Sequence, residues 1–205
     1  MLTVIIGRRR QGKSTLALAL AKSSRRSVIV FDPNDQYGHL KQIDDIGTWM
    51  ETSGPGSIGR LLATNPVWDW EYLVEELDAG VWKWSEYTLV IDECSMLMNA
   101  SKVHPALERY ARTSPQDVDV ILTTHRNVDV NTLFRALATD WFIFNQHLDR
   151  DVQTIADNYG ADVAEASKGL PKYHLIHFWL DKGGQPFWQI WNRPQDWFVD
   201  IGRKT

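Results

Sequence analysis

Short runs of apolar, mostly β-branched residues alternate along the chain with longer segments whose apolar residues have helical spacing. Continuous apolar stretches occur at Val4–Ile6, Val28–Val30 and Leu89–Ile91, which is typical of strands buried on both faces of a parallel sheet covered by helices. The pattern therefore predicts an α/β fold. The predicted strands before the tail are Leu2–Ile6, Ser27–Phe31, Arg60–Ala63, Tyr87–Ile91, Val118–Thr123 and Trp141–Phe144. The predicted helices are Lys13–Lys22, Trp70–Leu77, Pro105–Arg112, Val130–Ala138 and Asp149–Tyr159.

The end of the chain has a different pattern. Two apolar segments, Tyr173–Leu180 and Pro186–Trp191, flank a polar stretch that contains Gly183 and Gly184. A glycine pair supplies the positive φ angles that a tight turn needs. The pattern therefore predicts a C-terminal β-hairpin.

The composition limits the classes of protein to which the chain can belong. The chain has 205 residues, of which 43% are hydrophobic and 23% charged, and these values are normal for one globular domain. We expect this domain to consist of a core at 1–170 and a hairpin and tail at 171–205. No apolar run is long enough to cross a membrane, and the lone Cys94 allows no internal disulfide. The net charge of -4 gives no overall attraction to nucleic acid, so any DNA contact needs a local basic surface.

The segment between the first strand and the first helix carries the most specific motif. It is Gly7-Arg8-Arg9-Arg10-Gln11-Gly12-Lys13-Ser14, followed by Thr15, and it matches the phosphate loop of P-loop nucleoside triphosphatases. The two glycines let backbone N–H groups turn toward a phosphate, and the helix adds the positive end of its dipole. We expect Lys13 to reach the β- and γ-phosphates and Ser14 to bind Mg²⁺. The three arginine side chains are expected to point mainly to solvent.

An acidic pair, Asp92 and Glu93, directly follows the apolar strand Tyr87–Ile91. In a protein with a phosphate loop, carboxylates at this place bind Mg²⁺ and activate the attacking water. We predict that Asp92 holds Mg²⁺ through water and that Glu93 is the general base. The alternative is that the pair caps the start of a helix, where acidic residues are favoured.

The strand at Val118–Thr123 is followed by three more polar residues, Thr124, His125 and Arg126. If this strand lies next to the first strand, its end faces the γ-phosphate. Thr124 or His125 would then sense whether that phosphate is present, and we assign His125 this role and no acid–base role. The alternative is a solvated strand end with a turn.

Hydrolysis of a γ-phosphate gains from an arginine that neutralises developing charge. Four arginines are candidates: Arg109, Arg112, Arg126 and Arg135. Arg109 and Arg112 share one face of a predicted helix and would reach a nucleotide only in a neighbouring subunit. The alternative for both is a solvated helix surface.

Taken together, these motifs resemble the FtsK–HerA superfamily of DNA-pumping ATPases, especially the genome-packaging ATPases of membrane-containing icosahedral viruses. The resemblance covers about residues 1–180 in order and spacing, and its distinctive element is Asp32–Tyr37. The segments that carry it are IIGRRRQGKST, VIVFDPNDQY, TLVIDECS and DVDVILTTHRNVDV.

The resemblance implies ATP and Mg²⁺ as cofactors and hydrolysis coupled to the movement of double-stranded DNA. It also implies a pentameric or hexameric ring with nucleotide between subunits, in which Arg109 or Arg112 acts on the neighbour's site. A capsid vertex or a viral membrane protein is a further expected partner, and the expected location is the host cytoplasm or the packaging vertex of the virion. The chain departs from the family at Thr124–Arg126, where the family commonly has a glutamine. It also shows neither the membrane segment of FtsK nor the barrel of HerA before the strand at Leu2, so we expect a bare motor domain.

Three other functions stay open at this point. One is a virion-assembly or secretion ATPase like the zonula-occludens-toxin-like proteins, which usually carry a membrane segment. Another is a nucleotide-gated binding module, although the Asn-Lys-x-Asp element of GTPases does not occur. The last is a small-molecule kinase, which would need an arginine-rich lid that the sequence does not show.

Tryptophan is abundant, with 10 residues, and burial in a core or subunit interface explains this better than stacking on nucleic-acid bases. The tryptophans are Trp49, Trp68, Trp70, Trp82, Trp84, Trp141, Trp179, Trp188, Trp191 and Trp197. Basic residues that could line a DNA channel are Lys41, Lys83, Lys102, Arg126 and Lys168.

Overall fold

The computed structural model of the chain describes residues 1–78, 87–113 and 118–192. Its strands are β1 Leu2–Ile6, β2 Ser27–Asp32, β3 Lys41–Gln42, β4 Ile58–Leu62, β5 Tyr87–Ile91, β6 Asp119–Thr124, β7 Asp140–Phe144, β8 Leu175–Leu180 and β9 Pro186–Trp191. Its α-helices are α1 Lys13–Ser23, α2 Ile46–Thr52, α3 Pro66–Asp78, α4 Pro105–Thr113, α5 Thr132–Leu137, α6 Asp149–Tyr159 and α7 Ala161–Lys168. Two short 3₁₀ helices follow β5 and β6, at Cys94–Met96 and Asn127–Asp129.

The described strands form one sheet in the order β3-β4-β2-β5-β6-β1-β7-β8-β9. Strands β1 to β7 are parallel, and β8 and β9 are antiparallel additions beside β7. Parallel strands place all their carboxyl ends at one edge of the sheet. The residues that follow β1, β2, β5, β6 and β7 therefore meet there, and β1 is between β6 and β7.

The side chains of the sheet alternate between two apolar clusters, one on each face. In β1, Val4 and Ile6 join the larger cluster, to which helices α2 to α7 contribute. Ile5 points to the opposite face and packs in a cluster with Leu16 and Ala17 of α1. Burial on both faces explains the continuous apolar strands of the sequence and fixes the position of α1 beneath the loop that precedes it.

The structure confirms the predicted α/β fold, the mainly parallel sheet and the C-terminal hairpin. The limits of several elements differ from the predictions because polar residues set the ends. Helix α5 begins at Thr132 and not at Val130, since the Asn131 side chain caps it by accepting a hydrogen bond from Leu133 N at 3.0 Å. Strand β8 begins at Leu175, because Tyr173 has a left-handed backbone with φ 69°.

Besides the two 3₁₀ helices, three described elements were not predicted: β3, α2 and α7. Each is short, and isolated short helices have little intrinsic stability. Helix α2 depends on Asp45, whose carboxylate accepts a hydrogen bond from Thr48 N at 2.6 Å. Helix α7 follows α6 directly after Gly160, which has φ 109°. An N-cap and a positive φ glycine are the sequence signals for these helices.

We expected the tryptophans to be mostly buried, and four of them are: Trp49, Trp70, Trp141 and Trp191. Trp68 and Trp188 are exposed, and Trp82, Trp84 and Trp197 lie outside the described residues. Among the helices that the structure describes, none is long and apolar enough to cross a membrane.

Candidate nucleotide-binding and hydrolysis site

The phosphate loop joins the end of β1 to the start of α1 in a conformation that depends on its glycines. Gly12 has φ 103° and Arg10 has φ 62°, so both lie in the left-handed region. A Cβ atom on Gly7 would lie 2.7 Å from the Phe144 Cβ atom, so only glycine fits against β7. Gly7 N also donates to Thr124 O at 3.1 Å. Both neighbouring strands of β1 therefore hold the loop in place.

Lys13 is buried at the start of α1, and its ammonium group faces the loop. Its Nζ atom donates to Arg8 O at 3.3 Å and lies 3.0 Å from His125 Nδ1. Burial lowers the pKa of Lys13, and the carboxylates of Glu93 and Asp92 oppose that shift. The ammonium is thus surrounded by acceptors that a phosphate could replace.

Asp92 is buried at the carboxyl end of β5, with three hydroxyl groups around one of its oxygen atoms. The Thr123 hydroxyl donates to Asp92 Oδ1 at 2.8 Å, the Tyr37 hydroxyl at 3.3 Å and the Ser14 hydroxyl at 3.4 Å. Burial raises the pKa of Asp92, although the Thr123 hydrogen bond and Lys13 counteract it. Ser14 and Asp92, the two residues predicted to bind Mg²⁺, therefore lie side by side.

Glu93 has an unusual backbone for a non-glycine residue, with φ 53° in the left-handed region. The Ser95 hydroxyl donates to Glu93 Oε1, and His125 Nε2 lies 2.9 Å from Glu93 Oε2. The turn points the carboxylate toward the loop. Glu93 precedes the 3₁₀ helix Cys94–Met96, but its side chain does not cap that helix.

The imidazole of His125 links the acidic pair to the phosphate loop. Its Nε2 atom faces the Glu93 carboxylate, and its Nδ1 atom faces Lys13 Nζ and Gly7 O, the latter at 3.3 Å. In an Nε2–H tautomer the ring donates to Glu93 and accepts from Lys13 at Nδ1, which then forms no hydrogen bond with Gly7 O. His125 therefore contacts both the acidic pair and the phosphate loop, and its role as a γ-phosphate sensor stays a prediction.

The two neighbouring threonines at the end of β6 point in opposite directions. The hydroxyl of Thr124 is fully buried and has no hydrogen-bond partner among the described residues. The hydroxyl of Thr123, which the sequence analysis did not single out, donates to Asp92 and accepts from Glu93 N at 3.0 Å. Thr123 pairs with Ile5 across the sheet, so strand alternation places it on the face of α1. That alternation was the signal that could have distinguished the two.

The distinctive segment after β2 supports the site from behind. Asp32 is completely buried and accepts backbone hydrogen bonds from Gln36 N at 3.0 Å and Tyr37 N at 2.9 Å. Arg60 of β4 donates to the same carboxylate at 3.3 Å. These bonds hold the turn that brings Gln36 to within 2.9 Å of the Ser14 hydroxyl and Tyr37 to Asp92.

An open cleft of about 810 Å³ joins these groups at the carboxyl edge of the sheet. Its walls are formed by Arg9, Arg10, Gly12, Lys13, Ser14, Thr15, Asn34, Gln36, Glu93, Ser95, Met96 and His125. The volume suits a nucleotide. All three arginines of the loop are exposed, as predicted, and two of them border this cleft.

None of the other candidate arginines whose side chains are described lines this cleft. Arg112 is exposed on α4 and pairs with Glu108 at 2.8 Å. The side chain of Arg109 lies outside the described residues. The guanidinium of Arg126 donates from Nε to both oxygens of buried Asp151 at 3.2 Å. Within the described residues, the 810 Å³ cleft thus receives no arginine from α4 of its own chain.

Comparison with known proteins supports the interpretation of the fold. No protein-family profile and no curated protein matches the sequence. The structure is similar to B204, the DNA-packaging ATPase of Sulfolobus turreted icosahedral virus, with a TM-score of 0.77, 22% identity and coverage of 94% of this chain and 97% of that one.

A second solved structure is the genome-packaging NTPase B204 of Sulfolobus turreted icosahedral virus 2 in complex with ATP-gammaS. It aligns with a TM-score of 0.76 and 21% identity over 94% of this chain and 96% of B204. The pCW3 conjugation coupling protein TcpA with ATPgS aligns with a TM-score of 0.57 and 12% identity, over 99% of this chain and 64% of TcpA. These likenesses show that the chain has the fold of a P-loop NTPase.

Proposed function

We propose that the chain is an ATP-hydrolysing DNA translocase that packages viral genomic DNA into a preformed capsid. The observation that carries this proposal is the meeting of Lys13, Asp92 and Glu93 in one cleft at the carboxyl edge of the sheet. The similarity of the whole chain to the B204 packaging ATPases supports DNA as the cargo. The host cytoplasm and the packaging vertex are the corresponding sites of action, with a capsid or viral membrane protein as the docking partner.

Binding of ATP uses the backbone N–H groups of residues 7–15 and the Lys13 ammonium. The positive end of the α1 dipole adds to the attraction for the β-phosphate. Lys13 Nζ now contacts Arg8 O and His125 Nδ1, and phosphate oxygens would take the place of these acceptors. Because Lys13 is buried, its attraction to phosphate is screened little by water.

The residues present fit a Mg²⁺ ion, which the Ser14 hydroxyl and, through water, the Asp92 carboxylate would hold. Both are hard oxygen donors, which Mg²⁺ prefers, and phosphate and water oxygens would complete the set. A cation here also compensates the buried charge of Asp92, whose pKa burial raises. When bound, Mg²⁺ supplies neutralisation of the charge that develops on the phosphates.

Glu93 accepts a proton from the attacking water as the general base. His125 Nε2–H donates to Glu93 Oε2 and so sets the direction of the carboxylate. His125 also borders the cleft and contacts Lys13, so a γ-phosphate that draws Lys13 away changes the hydrogen bonding of the imidazole. This gives His125 a sensor role. Thr124 contributes through its carbonyl oxygen, which fixes Gly7.

A neighbouring subunit supplies the arginine in this proposal, from Arg109 or Arg112 of α4. The Arg112–Glu108 pair is on the surface, where ion pairs contribute little to stability and exchange readily. A ring of five or six identical subunits would place such a surface against the next phosphate loop.

Steady-state ATPase measurements test the site assignment. Lys13→Ala and Glu93→Gln should each lower kcat by at least about 100-fold, since one removes phosphate binding and the other the base. Matched controls are Lys22→Ala, an exposed lysine in α1, and Glu165→Gln, an exposed glutamate in α7; both should keep wild-type activity. Retained hydrolysis in the Lys13 or Glu93 variant would refute the assignment.

A mixing experiment tests the arginine in trans. Arg112→Ala and Lys13→Ala proteins should each be inactive alone. Random mixing in a closed ring should restore roughly a quarter of the sites, because an intact loop then meets an intact arginine. The same experiment with Arg109→Ala identifies which arginine acts. No recovery with either variant contradicts action between subunits.

DNA dependence separates the proposal from its rivals. We expect ATP turnover to rise with double-stranded DNA and the active species to have the mass of a ring. A monomer whose hydrolysis is unaffected by DNA would point to a kinase or a nucleotide-gated binding module.

A further inference from the structure

A second cleft of about 520 Å³ lies on the other side of the phosphate loop. It is between that loop and the residues that follow β6 and β7. Its charged lining consists of Arg8–Arg10, Arg126, His125, His147, Lys172 and Asp151. Nothing in the hydrolysis mechanism uses His147 or Lys172.

The charge of this cleft is strongly positive. Asp151 is the carboxylate among its described lining residues, and it is 2% exposed with both oxygens bound by Arg126. Arg8–Arg10 and Lys172 are exposed and form no ion pair with the described residues. The chain as a whole carries a charge of -4, so this concentration of cations is local. Such a surface raises the local concentration of polyanions.

We propose that this cleft holds the phosphodiester backbone of nucleic acid. The proposal rests on the DNA translocase function and identifies where on the subunit the nucleic acid binds. Guanidinium groups match phosphate geometry and bind it bidentately. Backbone contacts are independent of base sequence, which a motor that moves any sequence requires. Leu148 is the apolar residue among the described lining residues, and the guanidinium and ammonium groups of the others favour phosphates as ligands.

Two arginines connect the proposed nucleic-acid site to the nucleotide site. Arg9 and Arg10 line both the 810 Å³ cleft and the 520 Å³ cleft. The γ-phosphate of ATP and a backbone phosphate would therefore draw on the same guanidinium groups from opposite sides. The state of the nucleotide thus changes the positive charge available to the nucleic acid.

Lys172→Glu tests the proposal, since Lys172 lies in the second cleft and outside the hydrolysis site. The probe is a fluorescein-labelled DNA duplex of about 20 base pairs, long enough to cover a small protein site, followed by fluorescence anisotropy over a salt series. Lys172→Ala should weaken binding at least about threefold and lower the slope of log affinity against log salt by about one. Lys172→Glu should weaken binding further and abolish the DNA stimulation of hydrolysis, with hydrolysis in the absence of DNA unchanged.

Lys182 provides the matched control, because it is an exposed lysine in the β8–β9 turn at the far edge of the sheet. Lys182→Glu should bind the duplex like the wild type. If Lys172→Glu binds the duplex as tightly as Lys182→Glu does, the DNA-binding site is not in this cleft, although the proposed packaging function stands. If Lys172→Glu raises the KM for ATP and leaves duplex affinity unchanged, the cleft belongs to the nucleotide and the inference is wrong.

Two further binding measurements distinguish duplex from single-stranded nucleic acid and test the proposed function itself. A single strand of the same length that binds more tightly than the duplex, and loses affinity in Lys172→Glu, would assign the cleft to single-stranded nucleic acid. A wild-type protein that binds neither strand form would overturn the translocase function together with this inference.

Discussion

The buried carboxylate of Asp32 organises the site although it touches no part of the expected nucleotide path. Asp32→Ala removes the acceptor for Gln36 N and Tyr37 N and leaves Arg60 without its buried partner. A hydrogen bond to a charged group contributes about 1.5–3 kcal/mol, and an unsatisfied buried donor costs a similar amount. The two backbone hydrogen bonds alone give an expected loss of about 3–6 kcal/mol in the free energy of unfolding.

Chemical denaturation followed by far-UV circular dichroism measures that loss. In thermal melts, a chain of this length loses about 2–4 °C of Tm per kcal/mol, so we expect Tm to decrease by about 6–24 °C. Asp32→Asn, which keeps one oxygen acceptor, should show an intermediate loss. Asp35→Ala is the matched control: it also removes a partner of Arg60, but its side chain is 66% exposed, so its effect should stay below about 1 kcal/mol. A free energy of unfolding for Asp32→Ala within 1 kcal/mol of the wild type, a bound set by typical single hydrogen bonds, would refute this account of the turn.

Three other predictions concern stability and reactivity. Burial raises the pKa of Asp92 above its unfolded value of 3.8, so the stabilising contribution of its protonated form is present below about pH 4 and is lost as the pH rises through the folded pKa. Without nucleotide and Mg²⁺, Asp92→Asn should therefore be more stable than the wild type at pH 7 by about 0.5–2 kcal/mol in denaturant melts. The gain should shrink on acidification, and an unchanged midpoint at pH 7 would contradict this prediction. Gly59→Ala should lose about 1–3 kcal/mol in denaturant melts, because its Cβ atom would lie 2.6 Å from Ile43 Cγ1 and 2.8 Å from Trp49 Nε1; wild-type stability would show that the strand can shift. Cys94 is fully buried and burial raises its thiol pKa, so DTNB should react with it only as fast as the protein opens, and rapid labelling of the native protein would count against the described packing.

The parts of the site that local sequence determines were predictable. The phosphate loop requires glycine where the backbone is left-handed or crowded, and that requirement is visible as Gly7 and Gly12. The acidic pair follows a continuous apolar strand, which identifies both the strand and its carboxyl end. The hairpin was visible for the same reason, because Gly184 has φ 76° in the turn.

The parts that depend on which strands are neighbours were not predictable from one sequence. Arg60 meets Asp32 only because β4 lies beside β2, and nothing in their spacing along the chain indicates that pairing. The roles of Thr123 and Thr124 differ by the face of β6 on which each side chain lies, which the register with β1 decides. The cluster formed by Arg8–Arg10 and Lys172 also arises only when the sheet is assembled; of the basic residues first considered for a DNA path, Arg126 alone lines the second cleft, and Lys83 lies outside the described residues.

The shared wall formed by Arg9 and Arg10 has a thermodynamic consequence. Linkage requires that the factor by which bound ATP changes the affinity for nucleic acid equals the factor by which nucleic acid changes the affinity for ATP. Two anions that compete for the same guanidinium groups lower each other's affinity for the protein. Under the proposed function, loss of the γ-phosphate would strengthen the binding of nucleic acid, and binding of a new ATP would weaken it. One pair of arginine side chains would then be enough to make binding and release of nucleic acid alternate with ATP hydrolysis.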